Sequence, residues 1–253
     1  MGAPAELKKK QVSVVVPTYD ETDNLRELTC RLFAAAKKAN LEVELVFADD
    51  ESPGSAASAK IVEELKGEGY AVRFHGRKAS EGRGLSSAVL LGFSVAKFDT
   101  LVCMDADLQH EPEAVPAIAA PILDGSADFS IGSRNVKDGG VGFEWSLARR
   151  LISKGATVLA YPLASSTDPM SGFFCLSRKT LDKGKHHCNP LGFKIALELI
   201  VRCDCENVRD VPITFRDRHA GQSKLTFQQN LEYLKQLAAL YWFNYSRKIL
   251  NFF

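Results

Sequence analysis

The chain has 253 residues, 45% of them apolar and 25% charged, with a formal net charge of +1. That length allows one sizeable core, and the composition is that of an ordinary globular protein. A charge so near zero excludes a global field for nucleic acid, so any anion site has to be local, and six cysteines without scaffold spacing exclude a disulfide framework. The first ten residues lack an apolar h-region, so no secretory leader is expected. No apolar run approaches the ~18 residues of a membrane-spanning helix.

Val12–Val16 reads as a buried strand stopped by Pro17, and Leu25, Leu28, Leu32, Phe33 and Ala36 then recur at helical spacing. A second strand, Val43–Ala48, ends on Asp49-Asp50, followed by the turn Ser52-Pro53-Gly54 and a helix over 58–66. A third strand near Val72–Phe74, a turn at Gly82-Arg83-Gly84 and a helix over 85–96 lead into the strand Thr100–Met104, which runs into Asp105-Ala106-Asp107. This β-α-β-α order predicts an α/β fold: a mostly parallel, doubly wound sheet with helices on both faces. Ligands of such sheets bind beyond the carboxyl ends of the strands. Tyr19-Asp20-Glu21, Asp49-Asp50 and Asp105-Ala106-Asp107 all fall at those ends. Two carboxylates one residue apart offer hard oxygen ligands to Mg²⁺ or Mn²⁺, completed by substrate phosphates, and Gln109 adds a neutral oxygen. A lone pair of this kind is a common surface turn; three acidic clusters on one rim make a site.

The second half is less regular. It reads as a strand over 128–132 leading into Ser133-Arg134, an amphipathic helix over 145–159, a strand over 171–176, a helix over 191–201 and a strand over 208–215. Basic residues gather here, at Arg149-Arg150 with Lys154, Arg216 with Arg218 and Lys224, and Arg247-Lys248, where a solvated surface is the plain alternative. Cys30, Cys103 and Cys175 sit in apolar patterns and read as buried free thiols. His186-His187-Cys188 with Cys203 and Cys205 lacks the usual zinc spacing, and zinc is the weaker reading. From Leu225 to Phe253 the pattern is helical, with Tyr233, Tyr241, Trp242, Phe243 and Tyr245 interleaved with Lys235, Arg247 and Lys248. Such a helix suits a membrane headgroup region or a packed position on the core.

Val14-Val15-Val16-Pro17-Thr18-Tyr19-Asp20-Glu21, Asp49-Asp50-Glu51-Ser52-Pro53 and Met104-Asp105-Ala106-Asp107-Leu108-Gln109-His110 together resemble the inverting glycosyltransferases of family 2. In the second half, Gly132-Ser133-Arg134, Arg149 to Ser153, Asp168 to Phe173 and Arg218 to Lys224 resemble the branch that uses polyprenyl-phosphate acceptors. The resemblance runs from about Ser13 to Leu240. It implies the GT-A fold, with a catalytic unit over 1–224 and amphipathic interface helices over 225–253 in the same structural unit. It also implies metal-dependent transfer of mannose from GDP-mannose to dolichyl phosphate at the cytosolic face of the endoplasmic reticulum membrane. Partner subunits or a C-terminal anchor would hold the chain there.

Carried over residue by residue, the resemblance puts Pro17, Tyr19 and Glu21, with Ala48 and Asp50, around the nucleotide base and ribose. Asp105 and Ala106 fall on the diphosphate and ribose side, and Asp107 and Gln109 on the metal. Arg134, Arg149, Ser153, Arg218 and Lys224 would gather the acceptor phosphate, with Asp105, Asp107, Arg134 and Arg218 as the catalytic set. Ala48 stands where a branched aliphatic residue is usual, and Asp20 where Asn is common. UDP-glucose is the rival donor. A non-catalytic nucleotide-sugar-binding subunit is the rival class, and it would be expected to have lost one of these ligands, all of which this chain keeps.

Overall fold

The computed structural model describes residues 10–78, 80, 83–142, 147–189, 194–217 and 227–250, and their side chains except those of 147–153, 227–230, 248 and 250. The first half alternates as β1 (Lys10–Thr18), α1 (Leu25–Lys38), β2 (Leu41–Asp49), α2 (Ser55–Gly67), β3 (Val72–Gly76), α3 (Leu85–Val95) and β4 (Thr100–Cys103). After it come α4 (Val115–Leu123), β5 (Phe129–Ser133), β6 (Gly140–Val141), α5 (Leu147–Ala160), β7 (Phe174–Ser177) and α6 (Arg178–Gly184). The chain closes with α7 (Ile195–Arg202), β8 (Val208–Pro212), β9 (Thr214–Phe215) and α8 (Phe227–Leu250). Seven strands form one sheet in the order β3-β2-β1-β4-β7-β5-β8, while β6 and β9 pair separately. Every pairing in the large sheet is parallel except those of β7, which runs against both β4 and β5.

The reason lies in the apolar patterning. Val12, Val14, Val15 and Val16 are all fully buried, as a central strand covered on both faces requires. Val12, Val14 and Val16 pack with Leu25, Leu28 and Leu32 of α1 and Ile118 of α4. Val15 faces the other way, toward Val89 and Phe93 of α3, Leu199 of α7 and Leu237 of α8. The expected doubly wound layering is therefore present.

Three local expectations need correction. Pro17 does not stop the first strand, because it pairs with Ala48 in continuous register. Val15 turns its carbonyl to Met104 N–H (3.2 Å), so Pro17, two residues on, turns its missing donor to the same side, beyond the end of β4 where no bond is due. The strand expected over 208–215 is broken at Ile213, whose N–H donates to Ser133 O while its carbonyl accepts from Gly140, so Thr214 and Phe215 join β6 instead. Helix α6 was not anticipated; Ser177 caps it by accepting from Thr180 N–H at 3.0 Å.

Candidate active site

The topology brings the chemistry-bearing residues to one edge. β2, β1 and β4 are parallel neighbours, so the segments after Asp49, Thr18 and Cys103 leave the sheet on the same side. β5 shares their direction and delivers Ser133 and Arg134 to that edge, while the reversed β7 makes it the entry point for Gly172 and Phe173. Turns after β1, β2 and β4 each carry a residue in the left-handed region, Asp20, Glu51 and Leu108 (φ 59°, 52° and 59°). For a leucine this costs about 1 kcal/mol or more, a strain typical of functional turns. Leu108 sits between Asp107 and Gln109, and the sharp turn keeps both on the rim.

The paired acidic residues separate in role. Asp49 is fully buried and braces its own turn, accepting from Ser52 N (2.9 Å), Ser52 Oγ (2.8 Å) and Thr18 Oγ1 (3.2 Å). Asp50 lies further out, paired with the buried Arg77 and accepting from Gly84 N at 2.8 Å. Sequence reasoning missed Arg77, which follows β3 directly. Tyr19 is exposed on the rim, Glu21 accepts from Asn24 Nδ2 at 2.9 Å, and Ala48 is fully buried in β2.

Asp107 and Gln109 are buried to 7% and 6% exposure. Gln109 N–H donates to Asp107 Oδ1 at 3.1 Å, and Gln109 Nε2 donates to Arg216 O at 3.1 Å, so the amide is oriented by its nitrogen end and an oxygen, Oε1, is the end with the polarity a cation needs. Arg216 N–H returns a bond to Gln109 O at 2.9 Å. No group of three His, Cys, Asp or Glu side chains suited to a metal occurs among the described residues. One carboxylate and one amide oxygen are hard donors that fit a cation which also takes oxygens from a ligand's phosphates. The zinc reading of the His-Cys segment finds no support among the described residues, and all six cysteines are free.

Asp105 is more open and is shaped by its neighbours. A Cβ on Gly172 would lie 2.9 Å from both of its carboxylate oxygens, so a larger residue there would push the Asp105 carboxylate aside. His110 Nδ1 is 3.5 Å from Asp105 Oδ2, and the ring lies 5.3 Å from both Phe173 and Phe215. Burial pushes His110 down to about 4, so it is neutral at pH 7 and a weak base.

The cationic side has a structure that local sequence does not reveal. Arg134 is clamped by Asp168 through Nε (2.6 Å) and Nη2 (2.7 Å), and its guanidinium lies 5.1 Å from the Phe215 ring centre. Asp168 is fully buried. Its loop is tied in turn by Asp210, which accepts from Ser166 Oγ (2.6 Å) and Thr167 N (2.8 Å). Beside it Lys194 donates from Nζ to Met170 O at 3.0 Å. Burial first, and the Arg134 charge second, lower Lys194 to about 8, against the pull of Asp105 and Asp168. Lys194 thus sits electrostatically between the carboxylate side and the arginine side. Sequence reading passed over it as the start of an ordinary helix. The side chains of Arg149 and Ser153, on α5, and the whole of Arg218 and Lys224 lie outside the described residues.

The model of glycosyl transferase family 2 matches residues 13–184, more than half of the chain. The chain belongs to glycosyl transferase family 2. Within the family it is 42% identical over 239 residues to the dolichol-phosphate mannosyltransferase of Mycosarcoma maydis, covering 92% of this chain and 80% of that one. It is also 42% identical over 254 residues to the dolichol-phosphate mannosyltransferase of Saccharomyces cerevisiae, covering 96% and 91%. Among solved structures, mannosyl-3-phosphoglycerate synthase from Rubrobacter xylanophilus superposes with a TM-score of 0.64 at 19% identity, over 91% of this chain and 73% of that one. Glucosyl-3-phosphoglycerate synthase from Mycobacterium tuberculosis, solved with Mn²⁺, UDP-glucose and glycerol 3-phosphate, gives 0.56 at 17% identity, over 91% and 78%. At these identities the likeness is one of fold, the α/β GT-A arrangement of the family.

Proposed function

We propose that this glycosyltransferase moves mannose from GDP-mannose to dolichyl phosphate, with inversion at the anomeric carbon. The observation that carries the reading is the division of one sheet edge into a carboxylate side, Asp105 and Asp107, and a cationic side, Arg134 and Lys194. The 42% identity to proteins named dolichol-phosphate mannosyltransferase supports the choice of sugar and acceptor.

In this reading Pro17, Tyr19, Glu21, Ala48 and Asp50 surround the base and ribose. Asp50 keeps acceptor capacity beyond its bonds to Arg77 and Gly84, because a carboxylate offers about four lone-pair sites. Asp105 and the Ala106 backbone face the ribose and diphosphate. Asp107 and Gln109 would hold Mg²⁺ or Mn²⁺, which when bound supplies Lewis-acid stabilisation to the departing diphosphate. Arg134, Arg149, Ser153, Arg218 and Lys224 hold the acceptor phosphate, with Arg134 aimed by Asp168 rather than left to swing.

The reaction is an in-line displacement. An oxygen of the lipid phosphate forms the new bond to the anomeric carbon as the bond to the GDP oxygen breaks, converting an α-linkage to β. With a second pKa near ~6 the acceptor is already a dianion at neutral pH and needs no base. The weak basicity of the buried His110 is consistent with that. Positioning supplies the rate instead.

A polyprenyl acceptor stays in a bilayer, so the site has to meet one. α5 and α8 are joined by Tyr233 Oη to Ala156 O and Tyr241 Oη to Leu159 O, both 2.8 Å, and together with Tyr161, just after α5, they expose Val158 (69%), Leu159, Trp242 (71%) and Tyr245. Aromatic and aliphatic groups flanked by the exposed Lys154 and Lys235 suit an interfacial position. No helix among the described residues is long and apolar enough to cross a membrane. The reading places the enzyme on the cytosolic face of the endoplasmic reticulum, held also by partner subunits or a C-terminal anchor. Nucleotide release measured with GDP-mannose and with UDP-glucose, each with dolichyl phosphate in vesicles, tests it. Lipid-dependent release from GDP-mannose is expected, and release from UDP-glucose alone would overturn it.

A further inference from the structure

The buried face of α8 carries Tyr233, Gln236, Leu237 and Leu240, the spacing of a helix laid on a core. Gln236 is the polar member, at 7% exposure, on a face otherwise made of aromatic and aliphatic side chains. Its Nε2 donates to Glu198 Oε2 at 3.0 Å and to the backbone carbonyl of Lys194 at 3.3 Å, while its Oε1 is buried without a hydrogen-bond partner. An orphaned amide oxygen is a cost that packing alone would have removed. Glu198, at 1% exposure, is the hub: its Oε1 accepts from Asn189 N (2.9 Å) and Arg202 Nε (3.1 Å).

From this hub a chain of contacts runs to the reacting centre. Lys194 is held at its carbonyl by Gln236 and at its ammonium by Met170 O, and Met170 lies in the loop whose Asp168 clamps Arg134 and whose Gly172 abuts Asp105. We propose that Gln236 and Glu198 are positioning residues of the transfer reaction: they lock the register of α8 to the start of α7, so that the helix with the exposed aromatic face sets where the Lys194 ammonium stands. The inference rests on the mannosyl-transfer reading for its role in turnover, and on hydrogen bonds alone for the coupling. A polar pair under an amphipathic helix fits such a role, register being the best-attested use of buried polar groups.

The test uses the full chain with Gln236→Leu and Gln236→Glu. Gln236→Leu should lower kcat for mannose transfer about tenfold or more, with the KM for GDP-mannose changed less than about twofold, because the donor carboxylates stand on other elements. In Gln236→Glu two carboxyls face each other beside Arg202 and Lys194. Activity relative to wild type should be low near pH ~8 and recover toward pH ~6, as a shared proton restores one donor. Wild-type kcat in both variants, or no recovery on acidification, would overturn the inference. Hydrogen exchange reads the coupling without turnover: amides over 168–174 should exchange faster in Gln236→Leu, and unchanged rates there would overturn it. If the wild-type chain transferred no mannose, the functional reading would fail while exchange still decided the coupling.

Discussion

Replacing Lys194 by Met is expected to make the protein more stable and less active. The ammonium loses its proton at about 8 in the folded chain instead of 10.5. At 1.36 kcal/mol per pH unit, holding it charged at pH 7 costs about 3 kcal/mol. Part of the side chain reaches solvent and the bond to Met170 O is lost in the variant, so the net gain is about 1–2 kcal/mol. For a chain of this size that raises Tm by roughly 2–6 °C. The sign follows from proton counting. Between about 8 and 10.5 the unfolded chain binds more protons than the folded one, so wild-type stability climbs with pH across that window. The advantage of Lys194→Met should therefore be full below pH ~8 and vanish by about 10.5. Thermal unfolding of both proteins at a series of pH values checks this, beside a transfer assay in which the variant should lose about a hundredfold in kcat, as for other removed electrostatic groups. A variant less stable at pH 7, or equally advantaged at both ends of the window, would refute the reasoning.

Asp107→Ala should abolish transfer, cost the metal-free protein no more than its turn hydrogen bond, about 1 kcal/mol, and remove the rise in midpoint that Mn²⁺ with GDP gives the wild type. Asp168→Ala should cost about 3 kcal/mol in denaturant unfolding, because it strands Arg134, whereas the double change Asp168→Leu with Arg134→Met should cost less. Trp242→Ser with Tyr245→Ser should weaken sedimentation with anionic vesicles severalfold and leave thermal stability in place, because both side chains are exposed.

The carboxylate side of this edge was legible because its signals are local. An apolar run that ends on carboxylates declares a buried parallel strand and its rim, and Val12–Val16 with Thr100–Asp107 did so. Division of labour within each pair was less legible: Asp49 and Asp50 look alike in sequence, and only the fold shows that one braces a turn while the other meets Arg77. On the cationic side Arg134 was legible, but its pairing with Asp168 and the place of Lys194 were not. Arg134 and Asp168 are 34 residues apart, and Lys194 acquires its character from burial and the Arg134 charge rather than from its neighbours in the chain. Pro17 misled because a proline's cost in a strand depends on whether a partner still runs alongside.

The reversed strand β7 has a consequence for how this enzyme can change. Because β4 and β5 flank a strand running the other way, the chain leaves the edge after Ser133 and is back at the same edge at Phe174, an excursion that adds no strand between β5 and β7. Such an excursion can grow, shrink or be exchanged for another while the hydrogen-bond ladders beneath Asp105 stay in register. In the proposed function, a graft confined to residues 135–165 is expected to change the acceptor preference while Asp168, Gly172 and the carboxylates of the other turns keep their places.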